Sequence, residues 1–158
     1  MPGQIVWLIL LLPILSFLVI SLLIKPFVQK ESKLGSYIAI AAIGTSLILS
    51  LWTLVETLGA DHHELHMTPI QWLVIGNLDI SIGLMVDSLT AVMVVVVTTV
   101  SLMVQIYSLG YMEHYIGIND GTYTRYYAWM SLFTASMLGV VMADSLLLIF
   151  VFWEMVGL

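Results

Sequence analysis

Cysteine is absent from this chain and basic residues are scarce, with four Lys and Arg against ten Asp and Glu and a net charge of −6 at pH 7. Without cysteine there are no disulfides and no thiolate ligands for a metal or an iron–sulfur cluster. The sequence has no basic patch that could neutralise the phosphates of a nucleic-acid backbone, which argues against nucleic acid as a partner. The sequence also has no Gly-rich phosphate loop and no histidine pair placed to hold haem, so we expect no cofactor and no metal.

Charged residues of both signs make up only 9% of the chain, whereas hydrophobic residues make up 61%. Typical soluble domains are about 25% charged. A soluble domain of 158 residues could not bury so much apolar surface, so the solvent of this chain must be lipid. The composition predicts an integral membrane protein.

The apolar runs predict an all-α fold, a polytopic transmembrane helix bundle with four complete spans and the truncated start of a fifth. We treat 1–158 as a single membrane domain and as an amino-terminal fragment, because the last run ends before it could cross. The first run has no basic residue before it and is too long for a signal peptide, which indicates a retained span. The predicted spans are about 5–24, 34–58, 84–109, 126–142 and 144–158.

Two further features concern the ends of these spans. Between the second and third spans, β-branched residues around Gly76-Asn77 predict a short extended or hairpin-like segment at the membrane interface. The four basic residues all fall in the first and third inter-span segments, which lie on one side of the membrane. The positive-inside rule then places the amino terminus outside. These basic residues are Lys25, Lys30, Lys33 and Arg125.

Glu154 is the first candidate for chemistry, because it interrupts the last apolar run ten residues after Asp144. At about 1.5 Å per residue it would lie about 15 Å from Asp144, near the middle of a bilayer core of about 30 Å. An ionisable residue at that depth is a functional candidate by default. Burial favours a protonated carboxyl group and a nearby cation favours the ionised form, so Glu154 could bind and release a proton. The alternative is a carboxyl group that stays protonated and hydrogen-bonded to a neighbouring helix.

For two aspartates and one polar cluster, a structural role is the simpler interpretation. Asp144 precedes the fifth span and is predicted to cap it, and Asp87 is predicted to cap the third span or to form an interfacial hydrogen bond. Both remain accessory candidates on an ion path. The cluster Asp61, His62, His63, Glu64 and His66 has a spacing that matches no zinc motif, and we interpret it as a solvated loop.

Two stretches, residues 83–112 and 125–158, resemble the antiporter-like large subunit of respiratory complex I, subunit 5. The match includes the family's membrane-embedded Trp-Glu followed by Val-Gly-Leu, here Trp153, Glu154, Val156, Gly157 and Leu158. The resemblance implies a proton-translocating subunit in the membrane arm of an NADH:quinone oxidoreductase. It also implies that Glu154 is a protonatable residue paired with a Lys on a later span.

The same resemblance implies other membrane-arm subunits as partners, protons as the transported ion, no redox chemistry in this chain, and most simply a bacterial inner membrane. Two alternatives stay open. One is a subunit of a Mrp-type cation/proton antiporter, in which Leu-Thr-Ser tends to follow the Glu rather than Met155-Val156-Gly157. The other is a membrane anchor without a transport role, which would not need a carboxylate in the middle of a span.

Overall fold

The computed structural model describes residues 4–24, 33–59, 64–66, 70–75, 78–115 and 121–157. Most of these residues are helical. A π-helical turn, Ile20–Ile24, follows the first α-helix, and a 3₁₀ turn, Glu113–Tyr115, follows the third. The α-helices are α1 (Gln4–Val19), α2 (Leu34–Gly59), α3 (Ser88–Tyr111), α4 (Thr122–Met142) and α5 (Leu146–Val156).

The long helices bury small polar residues and expose large apolar ones. In α2 and α3 the buried residues recur every three or four positions, which defines one face of each helix. Lipid tails are as apolar as Leu, so nothing drives Leu or Val out of lipid, and small side chains at the helix contacts allow close packing. This pattern confirms the predicted class of a helical membrane protein. The buried polar residues are Ser36, Ser46, Ser50, Thr53 and Thr57 of α2 and Thr98, Ser101, Gln105 and Ser108 of α3.

Within the described residues, three segments are long and apolar enough to cross a membrane: Ile5–Ile24, Leu34–Gly59 and Ser88–Tyr111. Helix α4 is not among them, although its 21 residues would extend about 31 Å. It lies at the centre of the bundle, in contact with α1, α2, α3 and α5. Because its neighbours shield it from lipid, α4 can be less apolar than the helices around it.

Pro13 lies buried inside α1, and a neighbouring helix compensates for it. Proline has no N–H, so the carbonyl of Ile9, four residues earlier, loses its intrahelical donor. The Ser46 hydroxyl of α2 donates to that carbonyl at 3.3 Å. Freed backbone groups in membrane helices are commonly satisfied in this way by hydroxyls of adjacent helices. The contact fixes the register of α2 on α1.

The predicted extended segment is confirmed as a hairpin. Strand β2 (Ile70–Ile75) pairs antiparallel with β3 (Leu78–Ile82), with a register irregularity between Gln71 and Leu73. A second antiparallel pair, β1 (Glu64–His66) with β4 (Met85–Asp87), was not predicted. The all-α description therefore needs these two small sheets added.

Three helices begin two to four residues away from the approximate limits predicted for the spans, for a common reason. Helix α3 begins at Ser88 where the third predicted span begins near 84, α4 begins at Thr122 where the fourth begins near 126, and α5 begins at Leu146 where the fifth begins at 144. Span limits predicted from hydropathy depend on where apolar residues begin and end, whereas the ends of a helix depend on backbone hydrogen bonds and caps. The predicted spans therefore include apolar residues before a helix, such as Leu84, and leave out polar helical residues, such as Arg125.

The bundle has two ends with different charges. At the basic end, Lys33 before α2 forms a 2.8 Å ion pair with Glu113 after α3, and Arg125 lies in the first turn of α4. At the acidic end, a β-bridge between Leu84 and Ala143 joins the start of α3 to the end of α4, beside Asp87 and Asp144. The described Lys and Arg residues are thus gathered at one end.

Candidate functional site

Helix α5 carries Glu154 and packs on the bundle through one side only. Leu148 is buried and Phe152 partly buried, and the Phe152 ring fills the space that a side chain at Gly139 of α4 would need. In α5, Leu147, Val151 and Glu154 are spaced by four and three residues and share a different face, where all three are exposed. Within the described chain no residue hydrogen-bonds to the Glu154 carboxylate. The candidate carboxylate therefore faces outward from a helix that is otherwise apolar.

Asp144 does not cap α5, so that prediction was wrong. The N-cap is Ser145, whose hydroxyl accepts from the Leu148 N–H at 3.3 Å. The Asp144 N–H donates to the Gly83 carbonyl at 3.4 Å, and a Cβ at Gly83 would overlap the Asp144 carboxylate. Ser and Asp are comparably good caps, so the sequence alone could not choose between adjacent candidates. The contact with Gly83 fixes Asp144 to the connection that precedes α3.

Asp87 caps α3, as predicted. Its Oδ1 accepts from the Thr90 N–H at 2.6 Å, and the residue has the extended backbone conformation typical of an N-cap. This hydrogen bond holds the pKa of Asp87, which lies just before the span, below its ordinary value. Asp87 and Asp144 belong to the same end of the bundle, joined by the Leu84–Ala143 bridge.

The polar cluster between α2 and β2 is only partly described. Glu64 and His66 lie in β1, opposite Asp87 and Met85 of β4, so the prediction of a loop was wrong for them. Asp61, His62 and His63 lie outside the described residues. The pairing is long-range, across 19 or more residues, and no local signal in the sequence indicates it.

The sequence reasoning missed the most unusual buried group, Gln105 of α3. Gln105 is fully buried, and within the described chain neither its amide nitrogen nor its amide oxygen has a hydrogen-bond partner. Its backbone carbonyl accepts from the Tyr127 hydroxyl of α4 at 3.2 Å. The signal that could have found it is the spacing of Thr98, Ser101, Gln105 and Ser108 along one face of α3.

Interhelical hydroxyl pairs satisfy much of the remaining polar interior. Ser16 donates to Ser131 at 2.9 Å, linking α1 to α4. Ser50 and Thr98 lie 3.1 Å apart and link α2 to α3. The apolar helices and these contacts between them are those of a helical membrane protein with a polar interior, and its last described helix carries a single carboxylate.

Comparison with known proteins agrees with that class and narrows it. The family described as NADH-Ubiquinone oxidoreductase (complex I), chain 5 N-terminus, matches residues 72–127. Chain 5 of the NAD(P)H-quinone oxidoreductase of Picosynechococcus sp. is 38% identical over 98% of this chain. The chloroplastic subunit 5 of Mesostigma viride is 42% identical over 99%, and subunit L of the NADH-quinone oxidoreductase of Neisseria meningitidis is 39% identical over 87%. The chain belongs to the chain 5 family of complex I, and the resemblance extends to the first 60 residues.

The comparisons also show that this chain is much shorter than its relatives. It spans 20–23% of the length of those three relatives. A chain in the structure of the membrane-bound sulfane sulfur reductase, an archaeal respiratory membrane complex, shares the fold with a TM-score of 0.70. That match covers 98% of this chain and 28% of the other at 16% identity. The helix arrangement described above therefore recurs in a larger membrane protein.

Proposed function

We propose that this chain is the amino-terminal part of a proton-translocating subunit in the membrane arm of an NADH:quinone oxidoreductase, and that Glu154 binds the transported proton. The named relatives are all subunits of quinone oxidoreductases, which favours this function over a Mrp-type antiporter. As in the predicted role, electrons would pass elsewhere in the complex, and this chain would contribute no redox chemistry. Its partners would be the other membrane-arm subunits.

The observation that carries the proposal is the position of Glu154. It lies eight residues after Leu146 in α5, about 12 Å along the helix, on a face with Leu147 and Val151. A carboxylate facing lipid alone costs roughly 2.5–3.5 kcal/mol on insertion scales. That cost supports a neighbour that covers this face in the assembled subunit and pairs with the carboxylate. A simple anchor would place Leu or Met at this position.

The proposed mechanism is electrostatic. Surrounded by hydrocarbon, a carboxyl group is favoured in its protonated form, and a cation brought close to it favours the ionised form. A Lys on a later helix that approaches and withdraws would make Glu154 release and rebind a proton. No described Lys or Arg can do so, because Lys33 and Arg125 belong to the basic end.

We further propose the membrane arrangement. Each of the first four helices would cross the bilayer and α5 would begin a fifth crossing, with the basic end on the cytoplasmic side of a bacterial inner membrane and the amino terminus outside. Asp87 and Asp144 would then lie at the outer surface, where protons released from Glu154 could pass. Their contacts are those of a helix cap and a packing partner of Gly83, so any part in the ion path would be secondary.

Glu154→Gln in the full-length subunit tests the site. The change keeps size and hydrogen bonding but removes the titrating group, so proton pumping in inverted membrane vesicles should fall severalfold while the complex assembles normally. The readouts are quinone-dependent quenching of a pH-sensitive dye and the amount of intact complex on a native gel.

Glu56→Gln is the matched control. Glu56 lies in the last turns of α2 and accepts from the Trp52 indole at 2.8 Å, a contact that Gln can keep. Normal pumping is expected for this variant. Normal pumping in Glu154→Gln as well would remove Glu154 from the path, and dye quenching driven by sodium without an electron donor would favour the antiporter.

A further inference from the structure

A cavity of about 350 Å³ opens beside the basic end, between the end of α1 and the start of α4. A water molecule occupies about 30 Å³ in the liquid, and ligand pockets usually begin near 300 Å³. The cavity is therefore large enough for a chemical group rather than for one or two waters. It is separate from Glu154, which lies on α5.

Three polar side chains line the cavity. Thr124 is 4% exposed, and its hydroxyl has no hydrogen-bond partner among the residues that the structure describes. The hydroxyl of Ser21, in the π-helical turn, likewise has no partner within the described segments. Arg125 is exposed and makes only a weak 3.3 Å contact with Thr122, with no described carboxylate paired to it. Together they offer one positive charge and two hydroxyl donors.

The remaining walls are apolar and aromatic. Phe17 and Trp129 lie with ring centroids 6.0 Å apart, tilted by 42°, and Ile20 and Ala128 complete the lining. Trp129 is 54% exposed on the outside of the bundle. Arg125 and Trp129 are four residues apart, so the guanidinium group lies one helical turn closer to the basic end than the indole ring, on the same face of α4. The cavity thus has a charged part at the basic end and an apolar part, further along α4, that is open to lipid.

The surrounding backbone also favours an anion in the part of the cavity at the basic end. The N-cap of α4 is Gly121, which supplies no side-chain acceptor, so the first N–H groups of this 21-residue helix lack a side-chain cap. The N-terminal end of a helix carries a partial positive charge. The π-helical turn at Ile20–Ile24 widens α1 where Ser21 lines the cavity, and such turns are frequent at functional sites.

We propose that this cavity binds an anionic phospholipid, with the phosphate of its headgroup at Arg125, Thr124 and Ser21 and an acyl chain along Phe17 and Trp129. Basic pockets between membrane helices at the positively charged side are suited to anionic headgroups. Tryptophan at this level is typical of the boundary between headgroups and hydrocarbon. The amphipathic lining fits a lipid better than a soluble anion, which would leave the aromatic wall uncovered.

Quenching of Trp129 fluorescence by brominated lipid tests the proposal. The chain is reconstituted in phosphatidylcholine vesicles, with Trp129 as the single tryptophan and the other four replaced by Phe. Dibromo-phosphatidylglycerol should quench at about one fifth of the mole fraction that dibromo-phosphatidylcholine requires, because one basic residue near the surface contributes about that factor. In Arg125→Gln the two lipids should become nearly equal.

Lys33→Gln is the matched control, because Lys33 is a cation at the same end but is paired with Glu113 outside the cavity. It should leave the preference for phosphatidylglycerol unchanged. Native mass spectrometry of the unmodified chain, released from micelles of mixed lipids, gives a second readout that needs no tryptophan replacement. It should retain phosphatidylglycerol, and Arg125→Gln should lose it.

Three results would overturn the proposal. Equal quenching by both lipids in the parent chain would indicate a general lipid-facing groove. A loss of selectivity on adding inorganic phosphate would assign the site to a soluble anion. Absence of quenching by either lipid would mean that another protein segment covers the cavity.

Discussion

Replacing Ser46 by Ala removes the donor that compensates for Pro13 in α1. The Ser46 hydroxyl lies 3.3 Å from the Ile9 carbonyl, which lacks an intrahelical donor because residue 13 is proline. Ser46 and Ile9 are both buried, so no solvent can replace the lost hydrogen bond. The substitution should therefore weaken the packing of α2 on α1.

The size of the effect follows from the contact. Interhelical hydrogen bonds in membrane proteins average about 0.6 kcal/mol and reach about 1.7. A buried carbonyl left unsatisfied adds to that loss, whereas the length of 3.3 Å reduces it. We expect Ser46→Ala to lower the free energy of unfolding by about 1 kcal/mol, which is about a fivefold change in the unfolding equilibrium.

Pro13→Ala should rescue this loss, because alanine restores a backbone N–H at position 13 that can donate to the Ile9 carbonyl. In that background Ser46→Ala should cost less than about 0.3 kcal/mol, so the two changes should be coupled in a double-mutant cycle. The assay is reversible unfolding of the chain in mixed micelles, followed by circular dichroism. Thr45→Ala is the control, because Thr45 is exposed and donates to Ala41 in its own helix. Equal costs for Ser46→Ala in both backgrounds would refute the compensation.

The remaining predictions use the same assay unless stated. Asp87→Asn keeps the cap acceptor, so stability and pumping at neutral pH should both be retained; normal stability with reduced pumping would instead place Asp87 on the ion path. Because the folded pKa of Asp87 is lowered, its contribution to stability should be complete above about pH 4 and be lost as the pH falls further, and Asp87→Asn should reduce that loss. Gln105→Leu removes the unpartnered buried amide and should raise the free energy of unfolding by about 1–3 kcal/mol, whereas a decrease would reveal a partner. Gly139→Ala should cost about 1–3 kcal/mol through overlap with Phe152, and Phe152→Ala should make that cost smaller.

The sequence predicted the class, the order of the helices, the extended segment that forms β2 and β3, and the cap at Asp87. These features depend on local composition and on interactions between residues close in the chain. Apolar runs long enough to cross a bilayer identify helices without knowledge of their neighbours. The candidate Glu154 was found in the same way, because a carboxylate within an apolar run is visible from the sequence.

Other features needed the positions of residues far apart in the chain. Whether Ser145 or Asp144 caps α5 was decided by the contact of Asp144 with Gly83, 61 positions earlier. The pairing of β1 with β4 and the donation from Ser46 to Ile9 likewise join segments that no local pattern connects.

The low hydropathy of α4 is explained only by its central position in the bundle, where other helices rather than lipid surround it. The sequence by itself determined that the chain is a helical membrane protein and where a carboxylate lies within an apolar segment, because transfer into lipid depends on each segment's own composition. The tertiary structure alone decided which polar groups meet, which remain unpartnered and where a cavity opens, because those depend on the faces that packed helices present to one another.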